Sequence, residues 1–287
     1  MIKYKNKLFY ICFALLILSG CQYQALDRPK APISRAPTIE DKNTNNITDI
    51  QVQEPPIDLD EKTQLSLKSF REKAKELSDK FKDAFYICTP ATQKVISLTF
   101  DDGPDAKTTP KILDILDNFD VKATFFAVGQ NLDRYPEIGE RIIQEGHQLS
   151  NHTYSHPRPL SIDAKELFKE IEKTQKLIDG IDGRPKPKYF RPPYGLVSDE
   201  QMELLKKEDY KVIAWSIDSL DWYTEDKEDI ENCVVNTIHP GAVILMHSAG
   251  GQDNRKATVD ILPSIITRLK NLGYEFVTVD KLINQTK

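Results

Sequence analysis

Short apolar runs rich in β-branched and aromatic residues recur through the second two-thirds of the chain, near residues 95–100, 123–128, 147–151, 188–191, 211–217, 242–247 and 274–279. Runs of this length bounded by turn residues predict buried strands. Between most of them lie stretches with helical spacing of apolar positions, at 110–118, 135–145, 163–178, 199–207, 227–237 and 259–271. Strand followed by helix, repeated, predicts parallel strands joined by crossover connections, an α/β architecture. The chain has no Gly-x-Gly-x-x-Gly and no phosphate loop, so nothing points to a nucleotide-binding sheet.

Ahead of this block the pattern changes twice. Leu67, Phe70, Ala74, Leu77 and Phe81 recur at three-and-four spacing with charged residues between them, which predicts an amphipathic helix of about five turns within residues 62–88. Its apolar stripe is expected to pack on the domain at 89–287, since too few clean heptads are present for a coiled coil. Residues 21–61 contain Pro29, Pro32, Pro37, Pro55 and Pro56 among polar residues, the composition of a disordered tether. Residues 1–20 combine Lys3, Lys5 and Lys7 with an apolar run from Leu8 to Leu18, which predicts a secretory signal. The sequence Leu18-Ser19-Gly20-Cys21 resembles a bacterial lipoprotein box, with Cys21 as the lipidated residue. Two acyl chains there would hold the protein stably to the outer face of a cell membrane.

Composition adds limits. The chain has 287 residues, 39% hydrophobic and 29% charged, and a formal net charge of -5 that becomes more negative if the lysines of the signal are removed. No basic stripe remains to displace counterions, so nucleic acid is not expected as a partner. Of four cysteines, Cys12 falls in the signal and Cys21 takes the lipid, leaving Cys88 and Cys233 as the candidates for a disulfide. There is no Cys-x-x-Cys pair for a structural zinc site.

The chemistry-bearing residues fall at strand ends. Asp101-Asp102-Gly103-Pro104 follows the first strand and His152-Thr153-Tyr154-Ser155-His156-Pro157 the third. Arg191-Pro192-Pro193-Tyr194-Gly195 follows the fourth, Asp218-Ser219-Leu220-Asp221-Trp222 the fifth, and the sixth ends Leu245-Met246-His247-Ser248. In a parallel barrel these ends share one face, where active sites of such barrels lie. Two adjacent carboxylates raise one another's cost of ionisation, which calls for a cation nearby. Two neutral imidazoles, from His152 and His156, with one carboxylate from Asp101 or Asp102, make a three-ligand site suited to zinc, with room for a water that can be deprotonated near neutral pH. His147 and His239 are expected to be structural. A metalloprotease of the His-Glu-x-x-His type is excluded, since that motif is absent.

Taken in order, Thr99-Phe100-Asp101-Asp102-Gly103-Pro104, His152-Thr153-Tyr154-Ser155-His156, Arg191-Pro192-Pro193-Tyr194, Asp218-Ser219-Leu220-Asp221-Trp222 and Leu245-Met246-His247 resemble the five ordered motifs of the polysaccharide deacetylases, carbohydrate esterase family 4. The resemblance spans roughly residues 90 to 280 and implies a distorted (β/α)7-type parallel barrel. It further implies that Asp102, His152 and His156 hold a divalent metal, zinc or alternatively cobalt, and that Asp101 is the general base. Arg191 would pin Asp101 through a forked pair of hydrogen bonds. The Tyr194 amide would stabilise the oxyanion, and His247 would protonate the leaving amine with Asp221 raising its proton affinity. Trp222 and Leu245 would wall the acetyl slot.

The expected activity is hydrolysis of N-acetyl groups on an amino-sugar polymer outside the cell, with peptidoglycan N-acetylglucosamine as the leading substrate and the chain acting as a monomer. Chitooligosaccharide, poly-N-acetylglucosamine and O-acetyl-xylan are the alternative substrates. A non-catalytic, glycan-binding lipoprotein is the alternative of another class.

Overall fold

The computed structural model describes residues 54–183, 187–251 and 255–285. The expected signal, the expected lipidation site Cys21 and most of the expected tether lie outside the described residues. No helix among those described is long and apolar enough to cross a membrane.

Among the described residues nine strands, all paired in parallel, form the sheet: β1 (Phe85–Tyr86), β2 (Val95–Asp101), β3 (Thr124–Ala127), β4 (Gln148–Asn151), β5 (Lys188–Phe190), β6 (Tyr210–Ile213), β7 (Ile217–Asp218), β8 (Val243–His247) and β9 (Glu275–Phe276). The strand order is β1-β6-β5-β4-β3-β2-β8-β7, with β9 against β2. This is the distorted (β/α)7-type barrel expected. Its helices are α1 (Glu61–Lys80), α2 (Thr109–Asn118), α3 (Gly129–Arg134), α4 (Pro136–Gln144), α5 (Ala164–Asp182), α6 (Asp199–Lys207), α7 (Lys227–Val235), α8 (Lys256–Asn271) and α9 (Val279–Asn284).

The strands alternate between two apolar clusters, as the period-two geometry of a strand requires. On β2, Ile96, Leu98 and Phe100 join a cluster with Ile112 and Leu116 of α2 and Leu262 and Ile266 of α8. Ser97, Thr99 and Asp101, one residue out of phase, carry the buried polar groups. On β8, Ile244 and Met246 belong to that same cluster, while Val243 and Leu245 belong to a second one containing Phe126, Phe190, Val212 and Trp215. The alternation on β2 therefore ends by delivering the Asp101 carboxylate to the strand's C-terminal end on the face opposite α2.

Two expectations are revised. The single strand over 211–217 is two strands, because its first half pairs with β1 and β5 and its second half with β8. The link Ala214-Trp215-Ser216 spans the two ends of the strand order, with the Ala214 amide donating to the Tyr86 carbonyl at 2.8 Å and the Ser216 amide to the Val243 carbonyl at 3.1 Å. Residues 62–88 are helical only as far as Lys80, after which Phe85 and Tyr86 enter the barrel sheet beside β6. Cys88 and Cys233 are both free thiols.

Helix α1 starts where its cap dictates: Asp60 accepts from the Thr63 amide at 3.0 Å. Its stripe packs on the barrel as expected, with Leu67, Ala74 and Leu77 buried. Phe70 lies only partly buried, stacked on Trp215 with ring centroids 4.5 Å apart and an interplanar angle of 18°.

Candidate active site

The strand ends and the loops after them bring every sequence-predicted site residue among the described residues to one region of the molecule. Asp101, Asp102, His152, His156, Tyr194, Trp222, Leu245 and His247 line one cavity of about 470 Å³, within the range of small-molecule sites. Arg191 and Asp221 lie buried immediately behind it, each hydrogen-bonded to one of those side chains.

Asp102, His152 and His156 each offer a ligand atom, and these atoms all lie within 4.8 Å of one another. The His152 Nε2 is 3.6 Å from the Asp102 Oδ1, and the His156 Nε2 is 3.3 Å from it. The donor set fits a borderline divalent cation. The second ring nitrogen supports that fit: the His152 Nδ1 lies 2.7 Å from the Arg191 carbonyl. Donation to that carbonyl fixes the tautomer and leaves the Nε2 lone pair facing the carboxylate. Burial pushes the His152 imidazole below its ordinary pKa despite the pull of Asp101 and Asp102, favouring the neutral form a ligand needs.

The loop carrying His156 is clamped from α5, where the Glu170 Oε2 accepts from the amides of Tyr154 and Ser155 at 3.1 and 2.7 Å and from the Ser155 hydroxyl at 2.9 Å. Among the described residues, Asp102, Thr153, His156, Tyr194 and Leu220 all adopt positive φ within the motif loops. Such non-glycine conformations are costly, persist only where the surroundings enforce them, and cluster at functional sites.

Asp101 is held by Arg191, which is fully buried. The expected fork is not what the guanidinium makes. Only Nη1 reaches Asp101, at 2.7 Å, and it also donates to the Thr99 hydroxyl at 2.7 Å. The Nε donates to the Ile213 carbonyl and Nη2 to the Ala214 carbonyl, at 3.1 and 3.0 Å. The guanidinium thus ties Asp101 to the strand link while also lying 4.1 Å above the Phe126 ring. The second Asp101 oxygen remains on the metal side, 3.8 Å from the His152 Nε2.

Strand register places the candidate acid beside the candidate base, since Asp101 and His247 are partners across β2 and β8. The His247 Nδ1 lies 2.6 Å from the Asp221 Oδ1. The Asp221 Oδ2 accepts from the His247 amide at 2.9 Å and from the Thr258 hydroxyl at 2.8 Å. Burial opposes the imidazolium, but the Asp221 carboxylate outweighs it, with further help from Asp102 and Asp101, and the pKa is pushed up to about 9. His247 therefore carries a proton to give at neutral pH.

Other contributors were not singled out from sequence. Asp218, whose carboxyl is pushed up to about 6 by burial, accepts from the Trp222 indole Nε1 at 3.1 Å and so orients a ring that is 43% exposed. Arg158 lies 4.1 Å over the Tyr194 ring. Ser66, Leu67 and Phe70 of α1 line the cavity as well. For Asp218 the motif itself was the available signal. As expected, His147 and His239 are spent on structure: the His147 Nδ1 accepts from the Ala123 amide at 3.1 Å, and the His239 Nε2 lies 3.0 Å from the Ser216 hydroxyl.

Residues 89–213 match the family described as polysaccharide deacetylase. A peptidoglycan-N-acetylglucosamine deacetylase of Bacillus cereus is 39% identical over 206 residues, covering 72% of this chain and 74% of that protein. The chain belongs to the polysaccharide deacetylase family. The peptidoglycan-N-acetylmuramic acid deacetylase PdaC of Bacillus subtilis is 40% identical to this deacetylase over 190 residues, 66% of this chain and 39% of the relative. Among solved structures, a peptidoglycan N-acetylglucosamine deacetylase in complex with 4-naphthalen-1-yl-N-oxidanyl-benzamide superposes on the deacetylase with a TM-score of 0.65 at 38% identity. That match covers 68% of this chain and 91% of the other.

Proposed function

We propose that this deacetylase hydrolyses the N-acetyl group of N-acetylglucosamine in peptidoglycan, releasing acetate and leaving a free amine on the glycan. The observation that carries the reading is the register pair Asp101 and His247 beside the Asp102, His152 and His156 cluster. Hydrolysing an amide near neutral pH needs an activated water, a polarised carbonyl and a protonated leaving nitrogen, and the cavity has a group for each. A divalent cation held by Asp102, His152 and His156, with zinc the best match to the donors, supplies the Lewis acid.

Asp101, anchored by Arg191, takes the proton of the attacking water. The Tyr194 amide donates a hydrogen bond to the oxygen that becomes negative in the tetrahedral intermediate. His247, kept protonated by Asp221, gives its proton to the nitrogen as the C–N bond breaks. Leu245 and Trp222 form the apolar slot for the acetyl methyl. All these groups come from one chain, so a monomer suffices.

The sequence Leu18-Ser19-Gly20-Cys21 supports lipidation at Cys21, with the stretch between Cys21 and the residues that pack ahead of α1 as the tether that lets the barrel reach the wall from the membrane. The test is acetate release from isolated cell wall and from chitooligosaccharides, followed by identification of the deacetylated sugar. Acetate with free glucosamine residues in the wall is expected. Release confined to muramic acid residues would move the substrate assignment, and no release from either material by folded, metal-loaded protein would contradict the reading.

A further inference from the structure

The Tyr194 turn is held from outside the segment that matches the family. Tyr194 has φ 61° and Gly195 has φ 84°, two successive residues in the left-handed region, of which only glycine adopts that conformation freely. The backbone there runs against an aromatic stack. A Cβ added at Gly195 would lie 2.5 Å from the Phe70 Cε2 and 2.6 Å from the Trp215 Cη2, so the two rings occupy the space that any larger residue would need. Trp215 belongs to the link between β6 and β7, but Phe70 comes from α1, ahead of the family match at 89–213. The same face of α1 supplies Ser66 and Leu67 to the wall of the catalytic cavity.

We infer that Phe70 is a positioning residue for catalysis: by pressing with Trp215 on Gly195, it holds the Tyr194 amide in the direction that meets the oxyanion, and α1 is thereby a working part of the active site. The inference rests on the proposed role of the Tyr194 amide. A strained turn needs surroundings that over-determine it. The Tyr194 ring has partners of its own in Arg158 and in His156, the latter at 5.3 Å between centroids, but the backbone of the turn is backed by the stack. Removing the Phe70 ring leaves Trp215 without its stacked partner, with the Arg191 guanidinium still 5.7 Å from its ring, and opens a path for the turn to relax. An error of a fraction of an ångström in an oxyanion donor lowers turnover rather than ground-state binding.

The test uses the full chain with its metal bound and compares Phe70→Ala and Phe70→Tyr with Leu77→Ala, a buried α1 position away from the cavity. Phe70→Ala should lower kcat on chitooligosaccharide by about tenfold or more while KM changes by less than about twofold and metal content is retained. Phe70→Tyr, which keeps the stack, should stay within about threefold of wild type, and Leu77→Ala should lower the melting temperature with kcat kept. Hydrogen exchange of the peptide spanning 190–198 should accelerate in Phe70→Ala and not in Phe70→Tyr. A kcat unchanged in Phe70→Ala, a loss no larger than that of Leu77→Ala, or a change confined to KM would overturn the inference. Should the wild type release no acetate, the functional reading fails on its own, and the exchange measurement still decides whether Phe70 holds the turn.

Discussion

Replacing Asp221 by Asn tests the assignment of His247 as the acid. Asp221 is 6% exposed, and both its oxygens are committed, to the His247 ring, the His247 amide and the Thr258 hydroxyl. The substitution keeps the shape and removes the charge. A carboxylate this close raises an imidazole pKa by about 1–3 units, and once it is neutral the burial of His247 acts unopposed, so a value at or below about 6.5 is expected. At pH 7.5 the protonated fraction then falls from most of the molecules to about 10% or less, a loss approaching tenfold from protonation alone. At pH 6 the same substitution should have a much smaller effect. A bound cation offsets what Asp102 contributes to the His247 shift, so the wild-type basic limb lies somewhat below 9, while the gap between variant and wild type still reports Asp221. The assay is acetate release from chitooligosaccharide across pH 5 to 10 with metal content checked at each end. The reasoning is refuted by a loss that is uniform with pH, with the basic limb unmoved.

Arg191→Lys should lower stability by about 3 kcal/mol in urea unfolding, because one ammonium cannot serve Asp101, Thr99 and two carbonyls from a fully buried position; an unchanged midpoint would contradict it. The His247 and Asp221 pair should make unfolding of the metal-free protein pH-dependent. Since the folded pKa of His247 lies above its unfolded value, this stabilisation is complete below about pH 6.5 and is lost as pH rises through about 9; comparing urea midpoints of wild type and Asp221→Asn across that window checks it. Chelation should abolish acetate release and zinc or cobalt should restore it, whereas His156→Ala should bind metal too weakly to be restored, as measured by metal titration.

The strand ends were legible because two independent patterns coincide there. Asp101 closes an apolar run, and polar clusters recur at the ends of four of the later strands, so a parallel arrangement alone was enough to gather them. Strands of two residues, such as Phe85–Tyr86 and Ile217–Asp218, have no period to read, and only the pairing partners explain why the run over 211–217 breaks at Trp215. The donors of Arg191 were misjudged for a related reason. Its acceptors are mostly backbone carbonyls brought close by the fold, and a sequence does not show where carbonyls point. Phe70 was counted correctly in the apolar stripe of α1, but a stripe identifies a buried face without revealing that one member of it borders a catalytic cavity. The two thiols were read by elimination, which establishes candidates and says nothing about geometry.

The division of labour between a cation-holding set and a separate base is tested most directly by measuring metal stoichiometry and acetate release together in Asp101→Asn. One divalent ion per chain with acetate release reduced at least about a thousandfold is the predicted result. Loss of the ion along with activity, or retention of near wild-type turnover, would contradict the assignment of Asp102, His152 and His156 to the metal and of Asp101 to the proton.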